Sequence, residues 1–349
     1  LWLRGHEPEV FAQIASVLLP KDYVRLRMTG DKASDRADSA GTLWLDGAAR
    51  DWSEPMLAAC GLTRAAMPRL HEGSEATGVL RAEVAEAWGM ERVPVAAGGG
   101  DNAAGAVGVG VVNDGEALLS LGTSGVIFVA TDDFRPNPAR AVHAFCHALP
   151  GMWHQMSVHL SAACCLDWAA RALHLDGPEA LLARAEATGP AAGGALFLPY
   201  LSGERTPHND PALRAAWLGL DHDSDTGHLA AAVLEGVAFA HADGIAALRE
   251  AGSRIEALRV IGGGARSHFW GTILAAALDA RLDYVAGGEV GPALGAARLA
   301  MVASGGASLA EACAAPPTIF SIAPDPLLAE RLAPGLARFR RAARMLRSI

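Results

Sequence analysis

Lysine is almost missing from this chain: Lys21 and Lys32 are the only two, and neither follows a glycine. A phosphate loop of the G-x-x-x-x-G-K type sets a lysine on the phosphates, so that class is excluded. Any phosphate bound here must rest on backbone amides, hydroxyls and a metal ion. Charged residues are equally sparse, 19% of 349, and the formal net charge is -9. Such a balance offers no basic footprint for nucleic acid or an anionic membrane. The five cysteines (Cys60, Cys146, Cys164, Cys165, Cys313) make no C-x-x-C pair and no even disulfide framework. Reduced, mostly buried thiols and a cytoplasmic location are the expectation. No apolar run reads as membrane-spanning, no leader is expected, and no short-period repeat is visible. The chain opens at Leu1 inside a helical pattern, from which an upstream segment is expected.

What is present is a large apolar fraction, 51%, in a length sufficient for two domains. Apolar spacing predicts a helix over Glu9–Leu19 ended by Pro20, and a polar segment Arg25–Asp51 reads as loop with short strands. Helices are also predicted near Arg81–Gly89, Cys164–Leu173 and His228–Ala251. A basic C-terminal helix is expected to end at Ile349. Val93–Ala97 reads as a buried strand, and a boundary near Val112–Gly115 divides the chain into 1–112 and 113–349. Beyond it, A-L-L-S-L and V-I-F-V-A flank a G-T-S-G turn, the clearest hairpin signal in the sequence. Further strands are predicted near Ala141–Leu149, Trp153–Val158 and Leu258–Ile261.

Three glycine turns carry the candidate chemistry. The first, Gly98-Gly99-Gly100, stops a strand and is followed by Asp101 and Asn102 where a small-residue helix begins. Glycines let a substrate approach the backbone, and an acid at a strand end faces the usual ligand edge of an α/β sheet. The alternative is an Asp that merely caps its helix. The second, Gly122-Thr123-Ser124-Gly125, offers two hydroxyls and backbone donors, although an ordinary hairpin loop has the same composition. The third, Gly262-Gly263-Gly264 with Ser267, joins a strand to a helix and leaves room for a ribose or purine, or is simply a tight turn. Two further patterns carry less. Gly98-x-Gly100-x-x-Ala103 fits a dinucleotide fingerprint, but no acid stands at the end of the next strand, which argues against a nicotinamide-dependent oxidoreductase. His143, Cys146 and His147 have metal-like spacing, yet on a strand they need not converge on one ion. The vicinal pair Cys164-Cys165 reads as packing.

Together these strings resemble the FGGY carbohydrate kinases. The resemblance rests on G-G-G-D-N-A-A-G at Gly98, L-S-L-G-T-S-G ending at Gly125, L-P-Y-L-S-G-E-R-T-P-H-N at Leu198, I-G-G-G-A-R-S at Ile261 and G-P-A-L-G-A-A at Gly291. L-L-P-K-D-Y at Leu18 and F-C-H-A-L-P at Phe145 extend it over essentially the whole chain. It implies an actin-like ATPase fold of two ribonuclease-H-like domains: a remnant of the first at 1–112 and the complete second at 113–349. It also implies phosphorylation of D-xylulose by ATP with Mg²⁺. Asp101 would be the catalytic base and an indirect metal contact, and Asn102 a sugar contact. Gly122, Thr123, Ser124 and Gly125 would meet the phosphates, and Gly263, Gly264 and Ser267 the adenosine, while Gly291–Ala297 would pack near the domain junction. A homodimer is among the assemblies it allows. The family's opening D-x-G-T-S hairpin and M-H-G loop are not in this sequence, so the chain by itself is expected to be inactive. The alternatives are another sugar kinase of the family (ribulose, gluconate or glycerol type) and a non-catalytic nucleotide-binding remnant.

Overall fold

The computed structural model describes residues 1–288 and 291–346. The hairpin forms as expected: Ala117–Leu121 and Gly125–Thr131 pair antiparallel, with Leu121 opposite Gly125. Around it stands a seven-stranded sheet in the order Thr318–Ile322, Arg281–Val285, Ala257–Ile261, Ala117–Leu121, Gly125–Thr131, Trp153–His159, His143–Cys146. Ala257–Ile261 runs parallel to both of its neighbours, and every other pairing is antiparallel.

Side chains alternate across a strand, so the hairpin feeds two cores. Leu119, Leu121, Ile127 and Val129 pack against the helices Thr226–Glu250 and His268–Leu278. Leu118, Val126, Phe128 and Ala130 pack on the other face with Ala103, Ala106 and Val107 of the helix Asp101–Gly108. Sequence reading expected no apolar run of membrane-spanning length. By length and composition Thr226–Glu250 is one, but 83% of its most apolar window is buried inside the protein. It is hydrophobic all round because it lies in the middle of a core.

The first hundred residues are built differently, from short elements and two-stranded sheets. Ala33–Asp35 runs parallel to Arg69–His71, and Ala76–Val79 antiparallel to Pro94–Ala96. The strand before the glycines is therefore Pro94–Ala96, half-exposed and paired on a two-stranded sheet, rather than the buried strand expected. Pro20 also reverses its expected role. The helix nearest the N-terminal prediction is only Pro8–Ala12, and Pro20 starts a new helix, Pro20–Thr29, instead of ending one. Proline suits the first helical position because its fixed φ is already helical and its missing N–H has no partner there. Arg25 consequently sits in a helix and not in the loop predicted for it. The last helix is Pro326–Leu346, and the expected continuation to Ile349 lies outside the described residues.

Helix Asp101–Gly108 crosses Gly291–Ala303 at very short range. A Cβ on Gly108 would stand 2.5 Å from the Gly291 carbonyl oxygen, and one on Gly295 1.6 Å from the Ala104 carbonyl oxygen. Arg298 Nη1 donates to Val107 O at 2.9 Å beside this crossing. Only glycine permits two helix backbones to approach so closely.

Candidate functional site

Two of the three glycine turns meet. Gly262 has φ +92°, and a Cβ there would lie 2.8 Å from Leu121 O; one on Gly264 would lie 2.9 Å from Leu121 Cβ. Leu121 is the last residue before the Gly122 turn. One cleft of about 840 Å³ is therefore lined by Gly122 and Thr123 together with Gly263, Gly264 and Ser267. Leu166, Leu182, Ala183 and Phe269 supply an apolar wall, with the fully buried Trp270 behind it. Ser267 also caps the following helix, accepting from Trp270 N at 3.2 Å. A concave space of this size, with apolar walls and a few polar groups, suits a nucleotide-sized ligand. Asp167, Glu179 and Glu186 line the same cleft against a single guanidinium, that of Arg266. Ser124, Gly125, Asp101 and Asn102 do not line it.

The Gly122 turn is held by main chain. Ala163 N donates to Gly122 O at 2.9 Å and Ala162 N to Thr123 O at 3.0 Å, while Gly122 N donates within the turn to Ser124 O at 3.1 Å. The Gly122 amide is thus used internally, which narrows the donor set expected from sequence to the remaining amides and to the exposed hydroxyls of Thr123 and Ser124. The reason for glycine at 125 is steric and not conformational. A Cβ there would fall 2.3 Å from His241 Nε2. His241 is fully buried, its Nδ1 donates to Val237 O at 2.9 Å, and its ring lies 4.5 Å from that of His159. Glu204, from the L-P-Y-L-S-G-E-R-T-P-H-N string, anchors this layer. Its carboxylate accepts from Leu160 N at 3.0 Å and Arg205 N at 2.7 Å and lies 3.3 Å from His159 Nδ1. That segment braces the strand end behind the turn. Cys164 starts the adjoining helix half-buried as a free thiol, and a side-chain hydrogen bond with Cys165 holds it below the ordinary thiol range.

Asp101 stands at the first position of its helix, with Gly100 as the cap, so the simple capping alternative is not what the geometry shows. Its side chain is exposed, and Oδ1 accepts from Asn102 N at 2.8 Å and Asn102 Nδ2 at 3.0 Å. The helix ends beside the start of the hairpin, since Arg259 Nη1 donates to Gly110 O while Arg259 pairs with Leu118. The turn before Asp101 lies against Ala148, between the strands His143–Cys146 and Trp153–His159, where Gly73 N donates to Ala148 O at 3.0 Å. Among the described residues no group of three or more His, Cys, Asp or Glu side chains converges as metal ligands. His147 of the metal-like string is buried, with its Nε2 bonded to Val111 O at 3.1 Å.

Two family models match the chain. The model for the N-terminal domain of the FGGY family of carbohydrate kinases matches residues 1–108, and the one for the C-terminal domain matches 117–304. A xylulose kinase of Escherichia coli is 58% identical over 304 residues, 87% of this chain and 63% of that protein. The chain thus spans less than two thirds of that relative's length. The crystal structure of a xyloylose kinase from Brucella ovis superposes with a TM-score of 0.95 at 47% identity, covering 99% of this chain and 72% of the other. A xylulose kinase structure from Rhodospirillum rubrum gives 0.90 at 29% identity, covering 99% and 71%.

Proposed function

This chain belongs to the FGGY family of carbohydrate kinases, with its actin-like ATPase fold, and from that premise we propose that it forms the catalytic body of an enzyme phosphorylating D-xylulose with ATP. The observation that carries the proposal is the one cleft shared by the Gly122 and Gly263 turns. The 58% identity to a xylulose kinase supports the choice of sugar. In this reading the division at 112/113 separates a sugar side from a nucleotide side, jointed where Ala103 and Val107 pack on Leu118 and Phe128.

Asp101 takes the proton of the sugar's primary hydroxyl as that oxygen attacks the γ-phosphorus. The bond to the β–γ bridging oxygen breaks, and ADP departs with the electron pair. Asn102, bonded to Asp101 Oδ1, aims the carboxylate and serves as a second sugar contact. The hydroxyls and remaining amides of Thr123, Ser124 and Gly125 face the transferring phosphoryl group, where positioned donors stabilise developing charge. Gly263, Gly264 and Ser267 hold the adenosine. A triphosphate entering a cleft with three carboxylates and one guanidinium needs counter-cations, and among the described residues no cage of protein ligands forms, so Mg²⁺ fits as a partner carried by the nucleotide. When bound it would neutralise phosphate charge, with Asp101 proposed as an indirect contact.

Asp101→Asn in the protein expressed from its natural gene tests the reading. Turnover with D-xylulose should fall roughly a hundred- to ten-thousand-fold, the scale of a positioned base, while ADP affinity stays within about twofold. Unchanged turnover would refute the role of Asp101.

A further inference from the structure

The turn that presents Asp101 has no side chains of its own. Gly98, with φ +73°, Gly99 and Gly100 cannot hold themselves, so the hold must come from neighbours. Main chain supplies part of it: Ala97 N donates to Glu75 O and Gly98 N to Gly73 O, both at 2.9 Å. The methyl of Ala148 fills the space beside Gly99.

The rest is a lattice of charges. Arg25 Nη2 donates to Ala97 O at 2.6 Å, at the residue where the strand gives way to the turn. The guanidinium is buried and paired with Asp22 at 3.0 Å, and Asp22 is fully buried. Lys21 Nζ lies 2.8 Å from Asp22, bonds Asp35 and lies 3.5 Å from Asp38. Asp35 accepts from Asp38 N at 2.8 Å, and the Asp38 carboxylate lies against Gly100, 3.3 Å from where a Cβ would stand. Two cations thus face three carboxylates around both ends of one turn. The near-absence of lysine elsewhere has meaning here. A compact ammonium can be shared by three converging carboxylates, whereas the planar guanidinium fork suits paired contacts.

We propose that Arg25 is a positioning residue for Asp101, acting through the Ala97 carbonyl, with Asp22 and Lys21 fixing the guanidinium and Asp38 extending the hold to Gly100. This rests on Asp101 being the base, and displacement of a base by about 1 Å costs on the order of a hundredfold.

Four versions of the protein expressed from its natural gene form a cycle: wild type, Arg25→Met, Asp101→Asn and the double variant, each measured for kcat with D-xylulose and for ADP affinity. Arg25→Met should lower kcat about 10- to 100-fold in the wild-type background but less than about twofold once Asp101 is gone, because residues acting through one group are non-additive. ADP affinity should stay within about twofold. An equal factor in both backgrounds, or an affinity loss matching the kcat loss, overturns the inference and leaves Asp101 standing. Turnover that survives Asp101→Asn sinks both readings together. If Arg25→Met does not fold because the buried Asp22 keeps only Lys21 as a partner, Asp22→Asn/Arg25→Met removes both charges and is read by the same two criteria.

Discussion

The two glycine turns at the candidate site are held by opposite means. Gly122–Gly125 grows directly out of a seven-stranded sheet, so its strands, the amides of Ala162 and Ala163 and the apolar packing beneath fix it, and the one carboxylate of that layer, Glu204, braces the strand behind it and not the turn itself. Gly98–Gly100 follows a three-residue strand on a two-stranded sheet and is fixed by Lys21, Arg25, Asp22, Asp35 and Asp38. Where a ladder is long, backbone bonds are plentiful and side chains need only fill space. Where it is short, directional contacts must come from side chains, and buried ions supply direction at a desolvation cost. The two halves meet at the glycine crossing of Asp101–Gly108 with Gly291–Ala303.

Breaking that joint should have the largest effect. In Gly295→Ala the new methyl meets the Ala104 carbonyl at 1.6 Å, so the helices must separate. A loss of about 4 kcal/mol is expected in urea unfolding, at the upper end of overpacking effects. A parent-like midpoint would mean that the crossing relaxes freely and that the halves are loosely joined. Next comes Lys21→Met, which leaves three carboxylates to Arg25 alone, at about 3 kcal/mol by the usual cost of a broken, largely buried pair. Burial already raises the Asp35 carboxyl, with Lys21 opposing it. A raised acid gives stability that is complete below its unfolded value and lost as pH rises through its folded one. The variant should therefore recover stability on mild acidification. Gly125→Ala should cost less, about 2 kcal/mol, by pressing on His241. His241→Ala in that background should restore part of the loss, and no restoration would show that Ala162, 3.0 Å from the same position, sets the limit.

The sequence made one half of this contrast visible and hid the other. The hairpin was legible because alternating apolar residues and a G-T-S-G turn are local signals, and the long core helix was found nearly to its ends. The charge lattice was not. Arg25 and Ala97 are 72 residues apart, and single charged residues in a polar segment read as solvated surface. Pro20 compounded the error, since taken as a stop signal it placed Arg25 in a loop. One clue was present: Asp22 and Arg25 stand three apart behind a lone lysine, a spacing that puts them on one helix face once Pro20 is read as a start. The acids of the cleft escaped notice for a similar reason, because Asp167, Glu179 and Glu186 come from two helices that only the fold brings opposite the Gly263 turn.

The smallest effect concerns histidines, and it has the opposite sign to that of Lys21→Met. Burial lowers His241 to about 3, with His159 adding to the shift, and burial lowers His147 to about 4. Both titrate near 6.5 when unfolded, so between that value and their folded ones the unfolded chain binds more protons. Their neutral forms thus favour folding fully above 6.5, and this support is lost as pH falls through the window toward 3 or 4. His241→Leu removes one such group, so its unfolding free energy should change less between pH 7 and pH 6 than the parent's, by about 1 kcal/mol or less. Matched urea titrations at the two pH values read the difference. Identical slopes would mean that His241 is hydrated or paired with a proton acceptor, and that the layer behind the Gly122 turn is not closed to charge.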